Sequence, residues 1–249
     1  MSLAIPASIR QQQHPLICKL ADTIEQTWHQ HLDLSPYQLP SDLGYIEGRL
    51  EGERLVIENA CYQTPQFRKL HLELAKVGAN LDILHCVMFP RLAYPLPIFG
   101  TDLVGSKRQI GAAIVDLSPV AQSAAGWELP SVYQDALQAL PTPHFSQPRK
   151  LPEWGHIFSE FCLFIRPGDA AEHEQFVARA QAMLAIHCRQ AAAMAPDLER
   201  RTETAAGQRR YCLQQQKNDK TRRILENAFG VQWAERYMTQ VLFDLPSDG

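Results

Sequence analysis

The amino-acid sequence predicts an α+β protein in which an antiparallel sheet precedes a set of helices along the chain. Between residues 44 and 166, short runs of alternating apolar and polar residues are separated by turn-forming residues, as in antiparallel strands. Between residues 169 and 243, apolar residues recur at the spacing of helical turns. Strands and helices do not alternate, and neither a GxGxxG sequence nor a P-loop occurs, which disfavours a doubly wound parallel sheet.

The first elements are a helix and a hairpin. Residues 13–33 carry apolar side chains four residues apart on a polar background, which predicts an amphipathic helix. These side chains are Leu16, Leu20, Ile24 and Trp28. The runs YIEGRL and ERLVIEN then flank Glu51 and Gly52, a pair typical of a hairpin turn.

The next two runs predict strands whose side chains alternate between two faces. In residues 66–77 leucines alternate with polar residues. The leucines are Leu70, Leu72 and Leu74, and the polar residues are Lys69, His71 and Glu73. In residues 81–89, His85 shares its face with apolar side chains only. These strands predict a meander with one face packed on helices.

The remaining elements complete the sheet and then the helices. In residues 98–104, Gly100 and Asp102 interrupt a hydrophobic strand, and residues 111–118 supply another strand. Residues 119–153 predict a surface excursion or a short helix. The chain then returns to the sheet at 158–167 and forms helices within 172–188, 222–230 and 233–243, with Gly230 as a C-cap.

Composition limits the class of protein and its partners. Of the 249 residues, 45% are hydrophobic and 20% charged, as in soluble globular proteins. We expect one domain over 1–249, with a helical segment at 1–35, mainly sheet at 44–166 and mainly helix at 169–243. The net charge of −3 argues against nucleic acid as a partner, and we expect a monomer.

Targeting and cysteine patterns predict a cytoplasmic protein. The first 20 residues lack a basic stretch followed by an apolar run, and nowhere do about 20 apolar residues follow one another. The six cysteines include no CxxC pair, so zinc-finger and iron–sulfur spacings are absent. We therefore expect reduced thiols and no electron relay within the protein.

Four titratable residues lie inside the predicted strands where apolar residues are expected: His71, Glu73, His85 and Asp102. In one interpretation they are proton donors in a semi-buried pocket, where burial raises the pKa of a carboxyl group by up to about 3–5 units. In a second, His71, Glu73 and His85 bind iron as two histidines and one carboxylate. In a third, His71 and Glu73 face solvent and His85 is a hydrogen-bonded core residue.

The sequence KNDKTRR, residues 217–223, forms a polar break between helical runs. Such a break can direct Asn218 and Lys220 toward a ligand, and Lys220 would pair with a carboxylate. Arg222 and Arg223 are also consistent with a solvated helix face.

Four segments of the sequence are long enough to be compared with known families. They are LGYIEGRLEGERLVIENACYQTPQFRKLHLELAKV, LDILHCVMFP, FSEFCLFIRP and QQQKNDKTRRILENAFG. All four resemble the ferredoxin-dependent bilin reductases. The resemblance runs from about Pro36 to Phe243. It implies a three-layer α/β/α sandwich with a central antiparallel sheet, and a bilin bound between the sheet and the C-terminal helices. It also implies that no metal or cofactor is bound and that reduced ferredoxin supplies the electrons.

The resemblance implies a role for individual residues. His85 and Asp102 would protonate biliverdin IXα at its centre and its A-ring, and Glu73 would protonate the D-ring vinyl group. The substrate-binding residues would be His71, Arg149, Asn218 and Lys220. The presence of Glu73 favours reduction of both vinyl-bearing rings, which yields phycocyanobilin.

Single electrons from ferredoxin imply bilin radicals, whose reduction is directed by acids fixed in the site. Docking of an acidic ferredoxin would need a local basic patch, for which the sequence offers Arg68 and Lys69, and Arg222 and Arg223 beside Lys217 and Lys220. A bilin-binding protein without turnover and a metal-dependent oxygenase remain the alternatives.

Overall fold

The computed structural model describes residues 8–123 and 126–246, and an antiparallel sheet forms its middle layer. The strands are β1 (Ser35–Pro36), β2 (Tyr45–Leu50), β3 (Glu53–Gln63), β4 (Phe67–Val77), β5 (Leu81–Pro90), β6 (Ile98–Gly105), β7 (Ile110–Ser118), β8 (Ala121–Ser123), β9 (Gly126–Glu128) and β10 (Leu163–Ile165). The main sheet has eight strands in the order β1-β3-β4-β5-β6-β7-β10, with β2 also paired to β3, and β8 and β9 form a separate hairpin. Consecutive strands from β2 to β7 are neighbours in the sheet, which confirms the predicted meander.

Helices cover both faces of the sheet. They are α1 (Pro15–His31), α2 (Ser131–Gln138), α3 (Ala170–Ala193), α4 (Arg201–Gln215), α5 (Asp219–Phe229) and α6 (Val231–Tyr237). Helices α1 to α3 pack on one face through Trp28, Tyr133 and Phe176, and helices α4 to α6 pack on the other through residues that include Tyr211 and Tyr237. The predicted three-layer sandwich is confirmed. Among the described residues, no helix is long and apolar enough to span a bilayer.

The alternation of side chains along β4 separates the two cores. Leu70, Leu72 and Leu74 lie in the core beneath α1 and α3. The polar residues between them face α4 to α6, and the side chains of His71 and Glu73 are buried, with 0% and 7% of the residue surface exposed. The interpretation that these two residues face solvent is therefore wrong, because the second layer of helices covers their face of the sheet.

The hairpin between β2 and β3 forms where the sequence predicted it. Glu51 and Gly52 form its turn with φ angles of 51° and 84°. Positive φ at both central residues matches the right-handed twist of the flanking strands. Gly230, with φ 86°, ends α5 as predicted.

Two predicted elements differ from the structure. The returning strand was predicted at 158–167 and is limited to Leu163–Ile165. The backbone N–H and the hydroxyl of Ser159 donate to the Asp116 carboxylate and hold the residues before this strand in a turn. The predicted helix at 233–243 continues beyond α6 as a π-helix, Met238–Leu242. The carbonyl of Val241, in this π-helix, accepts a hydrogen bond of 2.6 Å from the Lys69 ammonium.

An ion pair ties the end of the chain to the middle of the sheet. Asp244 binds the guanidinium of Arg68 and the ammonium of Lys69. Lys69 is completely buried, and burial lowers the pKa of its ammonium group while Asp244 opposes that shift. A buried cation needs such a partner, since removal of one member of a buried pair leaves a charge without compensation.

We expect Asp244→Asn to lower the free energy of unfolding by about 3 kcal/mol, because Lys69 then keeps its charge in the interior without an anion. Urea denaturation of both proteins measures the difference. The control is Asp219→Asn, which removes an exposed partner of Arg223 and should leave stability almost unchanged. Equal losses of stability in the two variants would show that the buried ion pair stabilises the protein no more than an exposed one.

Candidate active site

The register of three strands places three titratable side chains in one line across the sheet. Glu73 on β4 lies opposite His85 on β5, and His85 lies opposite Asp102 on β6. Residues directly opposite in antiparallel strands point to the same face, with Cβ atoms about 4.5–5.5 Å apart. We call Glu73, His85 and Asp102 the cross-strand row. Ile114 on β7 and Phe164 on β10 continue the same line toward the sheet edge.

His85 and Asp102 form a hydrogen-bonded pair. The Nδ1 atom of His85 lies 2.6 Å from Oδ1 of Asp102. Burial alone would lower the pKa of His85, but the adjacent Asp102 carboxylate outweighs burial, and the net result is a raised pKa. The Nε2 atom of His85 is buried and has no partner among the described residues, so this nitrogen can serve a substrate. Asp102 has 39% of its side chain exposed and marks the accessible end of the row.

Glu73 lies at the closed end of the row. The hydroxyl of Tyr237, at the end of α6, donates to Oε2 of Glu73 across 2.6 Å. Burial raises the pKa of Glu73, and this effect exceeds the opposing influence of His85 and of the Tyr237 hydrogen bond. A carboxyl group with a raised pKa retains its proton at higher pH and can act as an acid.

His71 lies beside the row on the same face of β4. Its Nε2 atom is 2.7 Å from Oδ1 of Asn59. An amide oxygen only accepts hydrogen bonds, so the neutral ring carries its hydrogen on Nε2. Burial, followed by the charges of Lys69 and His85, lowers the pKa of His71 well below its usual value. His71 is thus a neutral neighbour of His85, with ring centroids 5.8 Å apart.

Residues near the C-terminus cover the closed end of the row. The ring of Phe243 meets His85 edge-on, with centroids 5.5 Å apart, and the backbone carbonyl of Phe243 accepts a hydrogen bond from the side chain of Gln216.

Gly100 on β6 lies under Tyr211 of α4. A Cβ atom on Gly100 would lie 3.1 Å from the hydroxyl of Tyr211. Only a residue without a side chain fits under this tyrosine without displacing it.

The other predicted binding residues lie around this covering layer and at the sheet edge. Asn218 and Lys220 follow Gln216 at the start of α5, and their side chains bond to no other described residue. Arg149 stacks on Phe164 at 5.1 Å and donates to the backbone across 2.7 Å. It shares a surface cavity of about 460 Å³ with Gln109, Gly111, Gln147, Pro148 and Arg166.

Each of the three residues that the sequence offered as iron ligands forms a hydrogen bond with a different residue of the protein. His71 bonds to Asn59, Glu73 to Tyr237 and His85 to Asp102. Within residues 8–123 and 126–246, no group of three or more His, Cys, Asp or Glu side chains is placed to hold a metal ion.

Sequence patterns did not identify Asn59, Tyr211, Tyr237 or Phe243 as site residues. Tyr237 and Phe243 lie in a run that predicts an ordinary helix, and Asn59 lies in a strand without distinction. The roles of Tyr237 and Phe243 depend on contacts with residues far apart in the chain, for which spacing along one element carries no signal. The role of Asn59 depends on the register of β3 with β4.

We expect Asp102→Asn to lower the pKa of His85, because the carboxylate that chiefly opposes burial is then removed. Because the folded pKa of His85 is raised above 6.5, its contribution to stability is present below that pH and is lost as pH rises through the folded pKa. The variant should lack this contribution. NMR titration of the imidazole measures the pKa, with His187, whose pKa burial lowers to about 3, as an internal control. An unchanged His85 pKa in Asp102→Asn would show that Asp102 is not the group that raises it.

Comparison with known proteins agrees with this arrangement. A sequence profile of the ferredoxin-dependent bilin reductases matches residues 21–244. The chain is 59% identical to phycocyanobilin:ferredoxin oxidoreductase of Trichodesmium erythraeum over 95% of this chain and 96% of that protein. It is 58% identical to the enzyme of the same name from Synechococcus elongatus over 100% of both chains.

A solved structure shares the fold. Phytochromobilin synthase from tomato, in complex with biliverdin, has a TM-score of 0.72 and 15% identity over 95% of this chain and 83% of that chain. The length and identity of the sequence matches lead to one conclusion: the chain belongs to the ferredoxin-dependent bilin reductases.

Proposed function

We propose that this protein reduces biliverdin IXα to phycocyanobilin with electrons from ferredoxin. The names of two relatives, each more than half identical over nearly the whole chain, support this product and donor. The observation that carries the mechanism is the cross-strand row, which holds Glu73, His85 and Asp102 on one face of the sheet. One end of the row is covered and the other is accessible, so an elongated substrate would meet three different proton environments.

The chemistry needs acids at fixed positions. Reduction of one carbon–carbon double bond consumes two electrons and two protons, and ferredoxin delivers the electrons one at a time. In our proposal each electron enters the bilin directly, without a bound cofactor, and gives a radical that is protonated before the next electron arrives. The position of the acid then decides which double bond is reduced.

The three members of the row would have distinct roles. Asp102 and His85 form one hydrogen-bonded unit, and we assign them to protonation at the centre and the A-ring. Nε2 of His85, the nitrogen that does not face Asp102, would meet the substrate. Glu73 has a pKa raised by burial, and we assign its proton to the D-ring vinyl group. Tyr237 covers Glu73 and Phe243 covers His85. In our proposal they exclude water, which would otherwise protonate the radical at other positions.

Cations near the row would bind the two propionates of the substrate. Arg149 lies beside Phe164, at the edge of the sheet where the line of the cross-strand row ends. Asn218 and Lys220 lie at the start of α5, two and four residues beyond the glutamine that donates to the Phe243 carbonyl. We propose that these side chains fix the propionate edge and that His71 lies against the rings.

Four of the six basic residues that the sequence offered for ferredoxin docking are paired with acids in the structure. Lys217 and Lys220 form no ion pair with a described residue. Arg222 binds Glu235 and Arg223 binds Asp219. Arg68 and Lys69 both bind Asp244 beneath the surface. Pairing cancels much of the field that would attract an acidic protein, so neither pair provides a strong docking patch.

A second basic patch lies at the accessible end of the row. Its cations make no ion pair with any residue in the described ranges, and hydrogen bonds from Arg149 to Gly111 and from Arg166 to Gln109 hold two of them against the turn between β6 and β7. The patch consists of Lys107, Arg108, Arg149, Lys150 and Arg166. We propose that ferredoxin docks here, close to the exposed edge of the bilin.

We expect Glu73→Gln to leave biliverdin affinity nearly unchanged and to abolish reduction of the D-ring vinyl group, because the amide keeps the shape of the carboxyl group and has no acidic proton to give. Chromatography of the products after anaerobic turnover with ferredoxin distinguishes the outcomes. The matched control is Glu47→Gln, which alters an exposed glutamate that also bonds to a tyrosine. Phycocyanobilin made by Glu73→Gln at the parental rate would remove Glu73 from the mechanism.

Reversing Lys107 and Arg108 to Glu should raise the apparent KM for ferredoxin about tenfold or more at low salt, because steering by a charged patch changes association rates by about 10–10³-fold. Salt should affect the variant less than the parent, since the Debye length falls from about 10 Å at 0.1 M to about 3 Å at 1 M. Biliverdin affinity should stay the same. The control reverses Arg222 and Arg223, and a larger effect in that control would place docking at α5 instead.

A further inference from the structure

The hydroxyl group of Tyr237 lies within hydrogen-bond distance of two acceptors. It is 2.6 Å from Oε2 of Glu73 and 2.9 Å from Oδ1 of Asn59. A phenol has one hydrogen and can donate it to only one acceptor at a time. The second of these two contacts therefore depends on which way the hydrogen points.

The orientation of the Asn59 amide is fixed by its other contacts. Its Nδ2 group donates to the carbonyl of Leu43 across 2.8 Å, so Oδ1 faces Tyr237 and His71. Oδ1 also lies 2.7 Å from Nε2 of His71. An amide oxygen has two lone pairs and can accept from both groups together.

Both protonation states of Glu73 then have a complete set of hydrogen bonds. When Glu73 is protonated, its O–H donates to the oxygen of Tyr237, and Tyr237 donates to Asn59. When Glu73 is ionised, Tyr237 donates to the carboxylate, and Asn59 keeps the hydrogen bond from His71. Apart from the proton that Glu73 loses, the two states differ by rotation of the Tyr237 hydroxyl hydrogen, and the heavy atoms can stay in place.

We propose that Tyr237 is a positioning residue for proton transfer from Glu73, and that its hydroxyl hydrogen turns from Asn59 to Glu73 as the carboxyl group loses its proton to the substrate. This proposal rests on the assignment of Glu73 as the acid for the D-ring vinyl group. The Glu73 hydrogen leaves its hydrogen bond to the Tyr237 oxygen and turns toward the substrate. The O–H bond of Glu73 then breaks, a C–H bond forms on the bilin radical, and Tyr237 keeps its own proton throughout. Stabilisation of the new carboxylate at the moment it forms lowers the barrier to the transfer.

The surroundings of Tyr237 suit this role. Its ring stacks on Trp233, with centroids 5.0 Å apart and an interplanar angle of 12°, and Trp233 packs on Phe229. This stack holds the ring still while the hydroxyl hydrogen rotates. Burial, with the neighbouring Glu73 carboxyl group, raises the pKa of Tyr237 well above 10, so the phenol does not itself act as the acid.

Tyr237→Phe removes the rotating hydroxyl and keeps the ring. We expect reduction of the D-ring vinyl group to slow by about 10- to 100-fold, the range for loss of one hydrogen bond to a charged group, with the affinity for biliverdin unchanged. Loss of the donor to the carboxylate should also raise the pKa of Glu73 further, since the Tyr237 hydrogen bond lowers it. Infrared titration of its carboxyl C=O band, identified as the band missing in Glu73→Gln, measures this pKa without turnover.

The control is Tyr45→Phe, because Tyr45 donates to Glu47 in the same way on the exposed surface. It should leave the rate and the Glu73 titration unchanged. In the parent protein, the C–O band of ¹³C-labelled tyrosine should shift at the pH where Glu73 titrates, and Glu73→Gln should lose this shift. That measurement tests the proposal even if Tyr237→Phe folds poorly.

The outcomes separate this proposal from the one on which it rests. If Glu73→Gln still makes phycocyanobilin, the proposed role of Glu73 fails. If Glu73→Gln blocks the D-ring step but Tyr237→Phe slows all reductions equally, with an unmoved Glu73 titration and no tyrosine band shift in the parent, Tyr237 is only structural and the proposal is overturned.

Discussion

The antiparallel register of β4, β5 and β6 is the constraint on which the site depends. Glu73, His85 and Asp102 lie opposite one another because these strands pair without a bulge at those positions. A slip of one residue in either pair would move one of the three side chains to the opposite face of the sheet. The hairpin turns and the leucine-rich core on the other face hold the register, so the apolar half of each strand positions the polar half.

Burial then gives similar groups different chemical properties. The second layer of helices takes Glu73 and His71 out of water, which raises the pKa of the carboxyl group and lowers that of the imidazole. His85 lies in the same environment, but its carboxylate partner reverses the direction of the shift. One protected face therefore holds a carboxyl group with a raised pKa, a histidine with a lowered pKa and a histidine with a raised pKa.

Much of this arrangement could be predicted from the sequence because strands have a period of two. The alternation in residues 66–77 and 81–89 placed His71, Glu73 and His85 on the faces that the structure shows. What the pattern could not show was the cover over that face, since a polar stripe on a strand is compatible with solvent or with a second helical layer. Tyr237 meets Glu73 only through packing of α6 against the sheet, over 164 residues of chain separation. Asn59 meets His71 through the pairing of β3 with β4. The pairing of Arg223 with Asp219, four residues away, could have been read from helical spacing, whereas the pairing of Arg222 with Glu235 needed the fold.

The central claim is that the cross-strand row faces the bilin and supplies its protons from Glu73 at one end and from the His85–Asp102 pair at the other. A crystal structure of the protein with biliverdin IXα bound tests it most directly. The account predicts a bilin between the sheet and helices α4 to α6, with the D-ring vinyl group toward Glu73, the A-ring toward Asp102, and Nε2 of His85 near the centre of the molecule. A bilin bound on the α1–α3 side of the sheet, or lying in the edge cavity without reaching Glu73, would contradict it.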